Sequence, residues 1–259
     1  MSKQSWFFVG ICFFLSQVAQ VSRASCQVLG EDARLEDTVV RLLKKLSLAA
    51  DNGRHSVKAI NNQIITVLLK GLNHSGSSIV YPFEKWKALF IKIATSADGN
   101  LRIYAWDTRT GGTMLSISSI VQFRDSHGIH ARILFDAAAD KTDEPGDWYT
   151  HIYGPEGGGI YIGRGMAQYS TIDAGAVAQA FRIGSNGLND TIRLFRDAEG
   201  LKNKLEVDYN SFRSGEEAGV VHYDGVGHNL WVRRVNDDAR LLKGYDVYHF
   251  DGTRVVIKK

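Results

Sequence analysis

The sequence predicts a mainly β protein, a propeller-like arrangement or a sandwich of antiparallel hairpins, with an N-terminal helical hairpin. Three observations lead there. From about Lys87 onward, short apolar runs recur on either side of turn dipeptides: Asp98-Gly99, Asn186-Gly187, Asp224-Gly225 and Asp251-Gly252. Between residues 31 and 71 the apolar residues recur instead at helical spacing. Three prolines and 26 glycines suit strands joined by tight turns better than a disordered chain.

Residues 1–24 read as a signal peptide. A start with one charge, Lys3, precedes a short apolar block from Trp6 to Leu15, and Ser22 and Ala24 fit a cut after Ala24. The block falls short of the about 20 apolar residues that span a bilayer, and no later stretch reaches that length. Cleavage removes Lys3 and Arg23 and no acid, so 31 basic residues become 29 against 28 acidic ones. A near-neutral chain lacks the basic face of a nucleic-acid binder. Cleavage also removes Cys12 and leaves Cys26 alone, so no internal disulfide forms. Ala24, Ser25 and Cys26 form the processing region. Cys26 is either a lone thiol or a lipid anchor, although Arg23 stands where lipoprotein signals carry an aliphatic residue. The expected location is outside the cytoplasm: periplasmic, secreted, or tethered to the outer membrane as a lipoprotein.

A helical segment is expected over 25–80 and an all-β domain over 81–259. Leu35, Val39, Leu42, Leu43 and Leu46 mark one helix, with a stop at Asp51-Asn52-Gly53. Val57, Ile60, Ile64, Val67 and Leu68 mark a second, with Gly71 as its C′ glycine and a loop from Asn73 to Ser78. In the β region, Leu101, Ile103 and Ala105 alternate with Arg102, Tyr104 and Trp106. Further hairpins are expected from 117–123 with 129–135, 180–183 with 192–195, 220–223 with 230–235, and 247–250 with 255–257. Exposed loops are expected at 140–147 and 154–159, with a glycine-rich hairpin loop extending to Gly163-Arg164-Gly165.

Motifs exclude more chemistry than they establish. Gly163-Arg164-Gly165 opens no helix, so it fails as a dinucleotide fingerprint. There is no nucleophile elbow. His127, His130, His222 and His228 sit around turns without zinc-ligand spacing, so no metal is expected. Asp140, Asp143, Glu144 and Asp147 lack the spacing of a calcium loop and read as a solvated acidic loop. No cofactor is implied.

The densest polar patch is Trp106, Asp107, Thr108, Arg109, Thr110, Gly111, Gly112 and Thr113. It closes a strand and opens a loop whose glycines would let backbone N–H groups approach a ligand. Turn capping by Asp107 and the threonines, with Trp106 in the core, is the competing structural use. The run from Asp98-Gly99 through Tyr104-Ala105-Trp106-Asp107-Thr108 to Thr110-Gly111-Gly112-Thr113 resembles a string shared by a group of exported bacterial β proteins. The resemblance continues through 149–153, 169–171 and 188–190. It implies β structure and no reaction, because the group has no assigned activity.

Function is thus open between classes. The favoured expectation is a non-catalytic envelope protein that binds or inhibits a protein or glycan partner, in the manner of immunity proteins and hydrolase inhibitors. Residues Trp106 to Thr113 would make the contacts. The alternative is a glycan hydrolase pairing Asp107 with Asp147 or Glu156. A third expectation gives the helical hairpin an exposed apolar stripe, Leu35, Val39, Leu42 and Leu46, that docks a partner.

Overall fold

The computed structural model describes residues 30–51, 56–137, 139, 144–156, 159–196, 200–211, 219–226, 228–251 and 254–257. Ala24, Ser25 and Cys26 therefore lie outside the described residues, as do Asp140 and Asp143.

The protein is mainly β with an N-terminal helical pair. Residues 30–51 form α1 and Val57–His74 forms α2. Leu35, Val39, Leu43 and Leu46 of α1 and Ile60, Ile64, Leu68 and Leu72 of α2 are buried in one cluster with Tyr104, Trp106 and Ile120. The stripe expected to dock a partner is therefore spent on the chain's own sheet. Gly71 lies inside α2 and does not end it. A Cβ there would come within 2.7 Å of both Leu35 methyl groups, so the glycine serves close helix approach.

Three sheets follow. The first is a meander of β1 (Ile91–Thr95), β2 (Leu101–Asp107), β3 (Ile117–Asp125) and β4 (Gly128–Phe135). The second holds β5 (Trp148–Glu156), β6 (Ile160–Gln168), β7 (Asp173–Gly184) and β11 (Lys204–Asn210), in the order β11-β7-β6-β5, with β8 (Gly187–Asn189) paired to β7. The third contains β9 (Phe195–Arg196), β10 (Leu201–Lys202), β12 (Val221–Asp224), β13 (Asn229–Val235), β14 (Leu241–Phe250) and β15 (Val255–Ile257).

The sheets stack in chain order behind the helices. Tyr104 and Trp106 of β2 face the helices, while Leu101 and Ile103 share a core with Tyr149, Ile152, Tyr161 and Phe181 of the second sheet. Ile160, Ile162 and the alternate alanines of β7 turn the other way, onto Phe195, Val221, Leu230 and Val255 of the third sheet. All seven residues of β2 are buried. Its period-two pattern therefore separates two covers rather than core from solvent.

One expected hairpin changes. The partner of the β7 tip is β8, across Ser185-Asn186, and not residues 192–195. Phe195 instead pairs with β10 and runs parallel to β15, because the chain crosses to the third sheet there. The glycine-rich stretch from 154 to 165 does form the expected hairpin, β5 with β6, but most of its described residues belong to the strands, and Gly157 and Gly158 lie outside the described residues. Gly154 lies in β5, and Gly163 and Gly165 lie in β6. A Cβ on Gly163 would sit 2.8 Å from the Phe181 ring and 3.1 Å from the Tyr149 ring, so the bare backbone makes room for aromatic packing.

The Asp98-Gly99 turn ties the first sheet to the second. Asp98 Oδ1 accepts from Ser96 Oγ (2.6 Å) and the Asn100 backbone N–H (3.1 Å). Its Oδ2 accepts from Asn100 Nδ2 and from the Tyr161 hydroxyl of β6, both at 2.8 Å. Burial alone would raise this carboxyl, but the four hydrogen bonds outweigh it and hold the group below its ordinary range. Asp98→Ala should cost about 1–2 kcal/mol near neutral pH, a low figure for charge-assisted bonds because the turn is open to solvent. A depressed folded-state pKa means that this stability is present above the unfolded value of about 4 and is lost as pH falls through the folded one. The gap between wild type and variant in urea unfolding should therefore narrow in acid.

Candidate functional site

The Trp106–Thr113 run is largely occupied with holding the fold. Trp106 is 0 % exposed, and its Nε1 donates to Asn61 Oδ1 at 3.0 Å. The Asn61 amide donates onward to the Thr108 carbonyl at 2.8 Å, which latches α2 to the end of β2. Asp107 Oδ1 accepts the Arg109 backbone N–H at 2.9 Å. Thr108 Oγ1 donates to the Ser116 carbonyl (2.9 Å) and contacts Thr110 Oγ1 (2.7 Å). A Cβ on Gly111 would lie 2.1 Å from the Met114 carbonyl oxygen. Gly112 and Thr113 are exposed. Asp107 and Arg109 border a groove whose lining contains no second carboxylate, and Asp147 lines a different cavity. The side chain of Glu156 lies outside the described residues.

That other cavity is the better candidate site. It is a cleft of about 510 Å³ where the first sheet stops short of covering the second. Its walls come from Ser119, Leu134 and Phe135 of β3 and β4 on one side, and from β5, β6, β7 and β11 on the other. Strand β11 shows why it is polar. Leu205 and Tyr209 point into the core shared with the third sheet, while Lys204, Glu206 and Asp208 alternate onto the cleft. Across the sheet, Lys204 stands beside Gln179, Glu206 beside Val177, and Asp208 beside Gly175. A Cβ on Gly175 would lie 2.6 Å from the Tyr169 hydroxyl, so this glycine leaves the space that ring occupies.

Lys204 is the hub. Its Nζ lies 3.1 Å from Asp147 Oδ2 and 3.4 Å from Glu206 Oε2. The Asp147 side chain is 13 % exposed and that of Lys204 28 %, so the aspartate expected in a solvated loop is largely enclosed. Tyr149 donates its hydroxyl to Gln179 Oε1, and Tyr169 donates to Glu206 Oε1. The Gln179 and Asn203 amides both donate to the Asp190 carbonyl, and Asp190 Oδ1 pairs with Arg132 at 3.0 Å.

Burial pushes the Asp147 carboxyl above its usual range; Lys204 pulls it down and Glu206 adds to the rise. Asp208 is likewise raised, first by burial, although the Tyr169 hydroxyl opposes the shift. For Lys204 burial works against the charge, but Asp147 and Glu206 outweigh it and keep the ammonium charged to higher pH. Among the described residues, no three His, Cys, Asp or Glu side chains are placed to hold a metal ion.

Of these residues the sequence offers only Asp147 as a candidate site group, and Tyr149, Tyr169 and Asp190 only as part of the resembling segments. The alternation of Lys204, Glu206 and Asp208 with Leu205, Val207 and Tyr209 is the signal that would have found the rest.

The fold and cleft define a helix-capped stack of three antiparallel-rich sheets with a polar cleft between the first two. No protein-family model, curated protein or solved structure matches the chain. Among the described residues no helix is long and apolar enough to cross a membrane.

Proposed function

We propose that this chain is a non-catalytic, exported binding protein that takes a glycan, free or borne by an envelope partner, in the cleft around Lys204. One observation carries the reading. The cleft has the size of a small-molecule site, and Tyr149, Gln179, Lys204, Glu206 and Asp208 present their polar groups to it from strands, with Asp147 one residue before β5. The carboxylates of Glu144, Asp147, Asp190, Glu206 and Asp208 outnumber the cation Lys204 and the Arg132 guanidinium paired to Asp190. Ligand hydroxyls and amines find acceptors there, and an acidic sugar is repelled. The export signal, and Cys26 as thiol or anchor, would place the protein in the periplasm, outside the cell or on the outer membrane.

A glycan array carrying neutral, amino and acidic oligosaccharides tests the reading. Retention should favour neutral and amino sugars. An array with no retained glycan, or one dominated by uronic acids, contradicts it.

Hydrolysis is the second reading, and one observation favours it. Asp147 carries a raised pKa, as a proton donor requires. Asp147 and Glu206 both lie within 3.4 Å of the same ammonium. Two carboxylates that close fall near the spacing of glycoside hydrolases, roughly 5–10 Å. The bridging Lys204 argues for binding, because it occupies both carboxylates at once. Release of reducing ends from a retained glycan, lost in Asp147→Asn by a factor on the order of 100 or more, would move the assignment to the hydrolase.

A further inference from the structure

A second concavity, remote from the proposed glycan cleft in its lining residues, has a different chemistry. It is a groove of about 370 Å³ walled by Leu43, Leu46 and Leu48 of α1 and by Leu89 and Phe90. Leu48 is 63 % exposed and Phe90 61 %, unusual for large apolar side chains that border one groove. Its polar rim is formed by Lys44, Ser47, Asp107 and Arg109.

Arg109 is held there by design of the turn. Its backbone is left-handed, at φ 58°, a conformation a non-glycine residue adopts only under constraint. The constraint is Asp107, which accepts the Arg109 backbone N–H through Oδ1 and pairs with Arg109 Nε through Oδ2 at 3.3 Å. The guanidinium lies over the Phe90 ring, 4.1 Å from its centroid. Among the described residues neither Nη group of Arg109 has a partner, and Lys44 has no ion pair. Asp107 is committed to Arg109, so the unspent charge of the rim is positive.

An apolar trough ending in a positioned guanidinium with free N–H groups matches an alkyl chain that ends in a carboxylate. We propose that this groove binds a monomeric fatty-acid anion, its chain along Leu43, Leu46, Leu48 and Leu89 and its carboxylate on the Nη groups of Arg109, with Lys44 adding charge. An alkylamine would face the net positive rim of Lys44 and the Asp107-paired Arg109, so it should bind less tightly than a carboxylate with the same chain. The site is independent of the glycan cleft, and neither proposal depends on the other.

The test is calorimetric titration of the purified chain with decanoate and with decylamine, both below their micelle thresholds. Decanoate should bind at one saturable site, at least about tenfold more tightly than decylamine, a difference of about 1.4 kcal/mol. Arg109→Asn, which tolerates the left-handed turn, should remove that preference and leave the circular dichroism spectrum unchanged. Phe90→Ser, at an exposed position, should weaken both ligands. Absence of saturable decanoate binding, equal binding of the two amphiphiles, or an Arg109→Asn variant that still prefers decanoate would overturn the proposal. Binding only to anionic phospholipid vesicles, with none to monomeric decanoate, would overturn it too and mark the face as a membrane contact.

Discussion

Trp106→Ala should lower the stability of the protein by about 4–5 kcal/mol, the upper end for loss of a large aromatic from a core. The indole is completely buried among α2, β2 and β3, where its removal leaves a cavity that packed helices cannot close. It also leaves Asn61 Oδ1 without its donor, in a residue that is itself 0 % exposed. Trp106→Phe keeps much of the volume and loses the hydrogen bond, so it should cost about 1–3 kcal/mol. Urea unfolding of the two variants separates these terms. A Trp106→Ala protein as stable as wild type would mean that the indole is not a structural latch. Ligand binding at the cleft should persist in Trp106→Phe, because the indole does not line that cavity.

Lys204→Met should cost about 2–3 kcal/mol at neutral pH. Breaking a fully buried pair costs about 3–5 kcal/mol, and the residual exposure of the ammonium reduces this. Asp147 and Glu206 are left facing each other without a counter-charge. The variant carries a distinct pH signature. Burial already raises the folded pKa of Asp147 above its unfolded value. Without Lys204 it rises further, so the native state binds more protons than the unfolded one over a wider window. Stability then falls as pH rises through the folded pKa. The deficit against wild type should be larger at neutral and alkaline pH than in acid, where Asp147 takes up a proton. A deficit independent of pH would show that the ion triad is not what the lysine supports.

The sequence discloses the fold where a local rule operates alone. The hairpins around Asp98-Gly99, Asp224-Gly225 and Asp251-Gly252 form where turn chemistry and alternation agree. Both helices follow their apolar spacing, and α2 overruns Gly71 because packing against Leu35 outweighs the glycine's preference for helix ends. Local rules mislead where a tertiary contact sets the residue choice. Gly163 and Gly165 look like loop glycines, yet they lie in a strand, where Gly163 yields space to the Phe181 and Tyr149 rings and Gly165 to the Trp148 carbonyl. The site was less visible than the fold. Its polar groups come from Ser119 and from 144–149, 169–191 and 203–208, and only the packing of two sheets brings them together. The Trp106–Thr113 run drew attention because its polar residues are contiguous; most of that polarity is consumed by capping and latching.

The measurement that bears most directly on the account is titration of the best-retained neutral or amino oligosaccharide into wild type, Asp147→Asn and Thr113→Ala. If the cleft is the binding site, Asp147→Asn weakens binding by about tenfold or more while Thr113→Ala, on the exposed loop, binds as wild type does. Binding that survives in Asp147→Asn but is lost in Thr113→Ala would return the site to the Trp106–Thr113 loop and contradict the assignment of the Lys204 cleft.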